Sequence, residues 1–291
     1  MSISETSIEN LQQNIYEIEP GTKEYFNEMG LKLDNDKKYF EAINMFNKAL
    51  KLDPSFKYAW FNNAKSLTHL GQLEDALSCC RMALNIDIRF KEAWYNKGYI
   101  YTLDGRHKKA IECFDKALEI DKTFKIALFQ KISSLMAMKD YKKASDTSDE
   151  YLANEYHSYI IWYNKGAALN YLGKYQEAIT CFDTAIEIKP DYSDAYAAKG
   201  FILGTLEKHS EEIQCYEKVL EFEPTNFIIW VNKSNAYNKM GNFVEALKCN
   251  DVALKLNPKC KELWQNRIIS LEKLELFEEA RECFKELEKL S

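Results

Sequence analysis

The chain has 291 residues, 46% hydrophobic and 29% charged, and no run approaches the ~20 apolar residues of a membrane span. The formal net charge of −6 is uneven: residues 1–22 hold four of the 45 acidic residues and no Lys or Arg, so the remainder, with all 39 basic residues, is close to neutral. That balance argues against a nucleic-acid backbone as main partner, which needs a concentrated excess of Lys and Arg.

In chain order, residues 1–22 come first, an acidic leader carrying Glu5, Glu9, Glu17 and Glu19. Its start, MSISETSIEN, has neither the basic n-region nor the apolar h-region of a secretory signal, which gives the expectation of a cytoplasmic protein. Thr6 and Glu9 have capping-box spacing, and Ile8, Leu11, Ile15 and Ile18 follow helical spacing until Pro20-Gly21 stops it. The leader is expected to be a short helix or arm that covers the first repeating unit; the sharper alternative is that it folds into a binding groove as an internal competitor.

From Lys23 onward the rare residues keep one beat. Trp60, Trp94, Trp162, Trp230 and Trp264 differ by multiples of 34, as do Pro54, Pro190, Pro224 and Pro258, and Gly71, Gly105, Gly173 and Gly241. Blocks of 34 residues therefore start at Lys23, Lys57, Lys91, Lys125, Tyr159, Ser193, Phe227 and Lys261, eight in all, the last slightly short. One block shows the physics. Trp162, Gly166 and Leu169 share a stripe of a first helix, and Ala178, Phe182 and Ala185 share a stripe of a second. Gly173 marks the turn between them and Pro190 ends the pair. Gly166, set against small alanines, is expected to let the two backbones approach while Trp and Phe fill the flanks.

Cys79, Cys113, Cys181, Cys215, Cys249 and Cys283 keep the same beat, so they occupy one structural column. Equivalent helices of stacked units lie roughly 8 to 10 Å apart, beyond the ~7 Å Cα limit for a disulfide. They read as small packing residues, and no zinc-ligand spacing is present.

Two blocks depart. The fourth, Lys125 to Ser158, has Lys139 at the turn glycine, Ile132 where others carry Gly or Ala, Ser145 and Ser148 in its second helix, and Tyr151 in place of Ala. Volume compensation between Ser148 and Ile132 is one reading; a hinge is the other. In the last block Arg281 and Glu288 stand where inner blocks carry apolar pairs such as Ile179 with Ile186, the polar outer face expected of a capping repeat.

The pattern W-x3-G, then A-x3-F-x2-A and a closing Pro every 34 residues resembles the tetratricopeptide repeat, over residues 23–291. The resemblance implies an all-α, right-handed superhelical solenoid of eight helix-turn-helix repeats whose first helices line a concave groove. On the groove face, position 6 of the repeats gives a carboxamide ladder: Asn62, Asn96, Gln130, Asn164, Asn232 and Asn266, broken by Ala198. Carboxamides donate and accept, so such a row suits an extended peptide backbone. Position 5 is aromatic in four consecutive repeats, Phe61, Tyr95, Phe129 and Tyr163, and Tyr58, Tyr99 and Phe201 join the same face. These rings either pack on adjacent repeats or serve as anchors for an apolar or aromatic peptide.

The family's carboxylate clamp for chaperone C-termini needs Lys at positions 5 and 2 and Arg at position 6, and no repeat here supplies them. Lys97, Lys165, Lys199, Lys233 and Arg267 stand at position 7, usually Leu; pairing with surface Glu is the expectation, an acidic flank of a bound peptide the alternative. His69, His107, His157 and His209 fall at unrelated positions, and no phosphate loop or nucleophile elbow appears. The sequence is thus read as a non-enzymatic module without cofactor or metal. It is expected to bind a protein or peptide, without nucleic acid or membrane, as a monomer or weak homo-oligomer. The alternative is a scaffold that self-associates through the groove or the leader.

Overall fold

The computed structural model describes residues 19–153 and 157–290. Among the described residues there are sixteen helices and no strand. Two compact units result, Met1–Lys143 and Ala144–Ser291, and the boundary falls in the fourth repeat.

In the first unit, α1 (Lys23–Asn35) pairs with α2 (Tyr39–Leu52), α3 (Lys57–His69) with α4 (Leu73–Ile86), and α5 (Lys91–Leu103) with α6 (His107–Ile120), followed by α7 (Lys125–Ala137). The boundary lies within α8 (Tyr141–Leu152). In the second unit the pairs are α9 (Tyr159–Tyr171) with α10 (Tyr175–Ile188), α11 (Ser193–Thr205) with α12 (His209–Phe222), α13 (Phe227–Lys239) with α14 (Phe243–Leu256), and α15 (Lys261–Lys273) with α16 (Phe277–Lys289). Within each unit the second helix of a pair also packs on the first helix of the next. A lone pair cannot bury its whole apolar face, and this stacking completes the core. The leader up to Ile18, with Thr6, Ile8, Glu9, Leu11 and Ile15, lies outside the described residues. Pro20 and Gly21 form a turn, and Thr22 caps α1 by accepting from the Tyr25 N–H at 3.2 Å.

The turn inside each repeat needs one left-handed residue, and it is present in all eight. Gly71, Gly105, Gly173 and Gly241 adopt φ of 72 to 75°, while Lys37, Lys139, Glu207 and Glu275 take 59 to 61° at the equivalent positions. Lys139 therefore does not break the fourth repeat: its N–H reaches the Met136 carbonyl at 3.0 Å and Asp140 reaches Leu135 at 3.0 Å, the bonds of a Schellman turn. A non-glycine residue pays roughly 1 to 2 kcal/mol for this conformation, a cost that tertiary packing absorbs.

Two expectations about the core are sharpened. What Gly166 meets first is a ring: a Cβ there would come within 2.8 Å of the Phe182 ring, and at Gly98 within 2.6 Å of Phe114 and 3.1 Å of the Ala110 carbonyl. Helix approach is thus set by a ring seated on a bare backbone. The tryptophans, expected on the buried stripe, are only half-buried. Their indole N–H groups reach the carbonyl that closes the preceding repeat: Trp60 to Pro54 at 2.9 Å, Trp94 to Ile88 at 2.9 Å, Trp230 to Pro224 at 3.0 Å and Trp264 to Pro258 at 2.9 Å. An indole that must satisfy its donor sits at the seam between repeats, partly in solvent. The cysteine column is buried and its thiols are free. Burial pushes Cys79, Cys113, Cys181, Cys215 and Cys249 up to about 11, so these thiols stay protonated and unreactive at neutral pH.

The first unit also carries a column of ion pairs that tie the start of each first helix to the end of its second. Lys23 meets Asp53 at 2.5 Å, Lys57 meets Asp87 at 2.6 Å and Lys91 meets Asp121 at 2.6 Å. The lysine hydrogen bonds, followed by those from Ser55 and Thr123, hold Asp53 and Asp121 down at about 2, and the Lys57 bond lowers Asp87. Because the folded values lie below the ~3.9 of an unfolded Asp, this stability is present above pH ~4 and is lost as pH falls towards 2. The pairs are exposed and their effect is modest. Thermal melts of an Asp53→Asn, Asp87→Asn, Asp121→Asn triple variant are expected to lose less stability than wild type between pH 4 and 2. Parallel acid limbs for the two proteins would show that the column does not matter.

Candidate functional site

The face of the first helices in the opening three repeats forms a cleft of about 930 Å³. Its walls bring together three of the sequence-derived residues, Tyr58, Phe61 and Asn62, with Asn27, Leu31 and Phe90. Tyr58 is 49% exposed, and its ring meets Phe90 edge-on at 5.5 Å and Phe56 at 5.9 Å. Phe61 is half-buried, 5.2 Å from Phe90. Lys57 closes the cluster, its Nζ 4.9 Å from the Phe90 centroid and 5.1 Å from Tyr58 while it pairs with Asp87.

Phe56 and Phe90 lie off the helix faces, where the helical period gives no sign of them. They belong to a column in the loop that ends each repeat, continued by Phe124 and Tyr192. In the third repeat Tyr95 packs on Phe124 at 5.8 Å and on Phe114 at 6.0 Å, and stacks on Tyr99 at 6.4 Å. Phe129 is half-buried. In the second unit Tyr163 packs on Tyr192 at 5.3 Å and Phe182 at 5.6 Å. Burial raises the pKa of both Tyr95 and Tyr163. So at position 5 the rings largely serve the seams between repeats, and of the aromatics expected on the groove face the exposed ones are Tyr58 in the first unit and Phe201, 59% exposed, in the second.

The carboxamides are not a uniform free row. Asn62 is buried and donates to the Asn27 side chain at 3.0 Å, Asn96 is buried and donates to the Cys80 Sγ at 3.6 Å, and Asn266 donates to Asn235 at 2.7 Å. Asn164 and Asn232 are half-buried. Asn232 lines a separate cavity of about 180 Å³ together with Phe201.

The position 7 cations point elsewhere. Four of the five reach an acid 16 residues earlier, in the second helix of the preceding repeat: Lys165 to Asp149 at 2.5 Å, Lys199 to Asp183 at 2.6 Å, Lys233 to Glu217 at 2.9 Å, and Arg267 to Asp251. Lys131 joins them, meeting Asp115 at 2.8 Å. Their partner is thus mainly Asp rather than Glu, and the bonds staple neighbouring repeats. Lys97 differs, since Arg81 stands 16 residues earlier, and its ammonium lies 4.9 Å over the Trp94 ring.

Comparison with known proteins places this geometry. Models described as Tetratricopeptide repeat match residues 31–88, 92–124, 159–192, 193–226 and 215–248. An uncharacterized protein of Methanocaldococcus jannaschii is 39% identical over 56 residues, 19% of this chain and 65% of that protein. Among solved structures, the C-terminal part of a TPR repeat-containing protein from Cytophaga hutchinsonii has a TM-score of 0.72 at 19% identity, covering 82% of this chain and 98% of that one. A tetratricopeptide repeat protein from Parabacteroides merdae has a TM-score of 0.59 at 16% identity, covering 86% and 98%. MamA from Desulfovibrio magneticus has a TM-score of 0.55 at 20% identity, covering 58% and 96%. At these identities the likeness is one of fold. Among the described residues no helix is long and apolar enough to cross a membrane.

Proposed function

Because this chain belongs to the tetratricopeptide repeat family, we propose that it is a protein-interaction module whose first unit holds an extended peptide with an apolar or aromatic anchor in the cleft at Tyr58. The observation that carries this reading is a half-exposed ring set among other rings in a cleft of about 930 Å³. A Tyr ring that is wet on one side and supported by Phe90 and Phe56 on the other gains by being covered, and it is already held in place, so little side-chain entropy is lost. The rim supplies polar groups of both signs, among them Glu28, Arg89 and Glu92, that can meet backbone groups or flanking side chains.

Covering one or two rings gains about 1.5 to 3 kcal/mol each. Backbone hydrogen bonds add a net ~0.5 to 1.5 kcal/mol each, offset by ordering the peptide. The sum is in keeping with a micromolar complex, about −8 kcal/mol.

The test is selection of binders from a random displayed-peptide library against the full chain, followed by anisotropy titration of the selected peptides. Tyr58→Ala is expected to weaken binding by about tenfold or more, corresponding to roughly 1.4 kcal/mol. Peptides that bind the variant as tightly as wild type would remove the cleft from consideration. Tyr58 is exposed enough that its loss leaves the core of the repeat intact.

A further inference from the structure

At position 20 of the repeat, in the second helix of the pair, seven repeats place alanine: Ala42, Ala76, Ala110, Ala144, Ala178, Ala246 and Ala280, all buried. The sixth repeat places Glu212, a side chain only 9% exposed. An ionisable group in that place is expelled or neutralised unless the surroundings are rebuilt for it. They are, in three ways. Gly204 stands where the other repeats carry larger side chains, and a Cβ there would come 2.4 Å from Oε1 of Glu212. His209 Nδ1 lies 2.8 Å from Oε2. Tyr216 replaces the usual Phe and lines the same cavity as Glu212.

The carboxylate forms part of the wall of the cavity of about 180 Å³, opposite Asn232 and Lys239 of α13 and beside the exposed face of Phe201. Among the described residues no ion pair joins Lys239 to Glu212, and His209 is the titratable side chain within hydrogen-bond distance of the carboxylate.

We infer that this cavity binds a primary ammonium group, carried by a lysine side chain or by a small alkylamine. Three features match that ligand. Glu212 supplies the charge-assisted acceptor, and the Asn232 carboxamide oxygen offers a neutral one. Phe201 presents an aromatic face over which an alkyl stem can lie and which attracts the cation. The site lies wholly in the second unit and does not depend on the cleft at Tyr58.

The experiment is a ¹H–¹⁵N correlation titration of the full chain, in phosphate buffer without amines, with n-butylammonium, with N-acetyl-lysine methylamide, and with N-acetyl-norleucine methylamide as a neutral isostere. Both ammonium probes are expected to give saturable shifts confined to residues around 201–239, with the neutral probe silent. The tighter of the two tells a free amine from a protein side chain. Glu212→Gln is expected to weaken binding at least tenfold. Glu212→Ala restores the residue of the other seven repeats, so it keeps the fold and is expected to abolish the shifts. Absence of saturation, an equal response to the norleucine probe, or undiminished binding to Glu212→Gln would overturn the assignment.

Discussion

Replacing Phe182 by alanine is expected to cost about 3 to 5 kcal/mol and to loosen its own repeat first. The ring is 1% exposed and packs among Ala178, Leu169 and Ile202, with Tyr163 at 5.6 Å. Gly166 offers no Cβ to move into the space left behind, so the cavity cannot collapse without shifting a helix. In a repeat array each unit leans only on its neighbours, so the loss stays local. Hydrogen exchange should show reduced protection across Tyr159–Ile188, spreading within the second unit to the flanking helices before the rest responds. The contrast is Phe284→Ala, at the same position of the last repeat. There Ile268 replaces the glycine and Phe284 is 45% exposed, so the cost is expected to stay under about 1 kcal/mol. Equal costs at the two sites would mean that the glycine seat is irrelevant.

That contrast shows what a sequence of this kind discloses. Spacing of rare residues revealed the helix pairs because Trp, Gly and Pro each answer a backbone or seam requirement that recurs in every repeat. It misjudged where strictness lies. A glycine at the turn is only a preference worth about a kilocalorie, and Lys139 takes the same conformation. A glycine at position 8 answers to the ring opposite it, which only the packed pair displays.

At the candidate cleft, the exposed residues of the first helices were legible from the helical period, and Tyr58, Phe61 and Asn62 do converge. What could not be read was how much of each side chain the neighbouring repeat would cover. Phe90 sits in a loop, where no periodicity assigns a face, yet it buries one side of Phe61 and buttresses Tyr58. The position 7 cations illustrate a signal that was present but unread: an acid recurs 16 residues before Lys131, Lys165, Lys199, Lys233 and Arg267, and not before Lys97. Glu212 likewise stands out only when the alanine column is read downwards.

The pairing of positions 8 and 24 leads to an unusual expectation for the seventh repeat, where a stabilising change requires two substitutions that each fail alone. Ser234 stands at the glycine position and Asn250 at the ring position, both completely buried. Ser234 Oγ donates to the Ala246 carbonyl at 3.1 Å, but no protein group pairs with either amide atom of Asn250. An unpaired buried donor or acceptor costs about 1 to 3 kcal/mol, so this repeat carries a deficit that an apolar ring would remove. Asn250→Phe alone cannot do so. In the repeats that hold a ring, a Cβ on the opposite glycine would come 2.4 to 2.8 Å from ring carbons, and Ser234 has that Cβ. The single change is expected to be destabilising by about 1 to 3 kcal/mol through overpacking. Ser234→Gly alone loses a buried hydrogen bond and adds backbone entropy to the unfolded chain, a cost of about 1 to 2 kcal/mol. Together they recreate the arrangement of Gly166 with Phe182. Ring burial of about 1.5 to 3 kcal/mol and relief of the unpaired amide then outweigh the helical glycine. The double variant is expected to gain about 2 kcal/mol over wild type, with a coupling between the sites that exceeds about 2 kcal/mol. A double-mutant cycle of urea unfolding, followed by hydrogen exchange in Phe227–Leu256, measures it. Additive effects would mean that the two positions do not sense each other, and that the distance between paired helices is set elsewhere in the repeat.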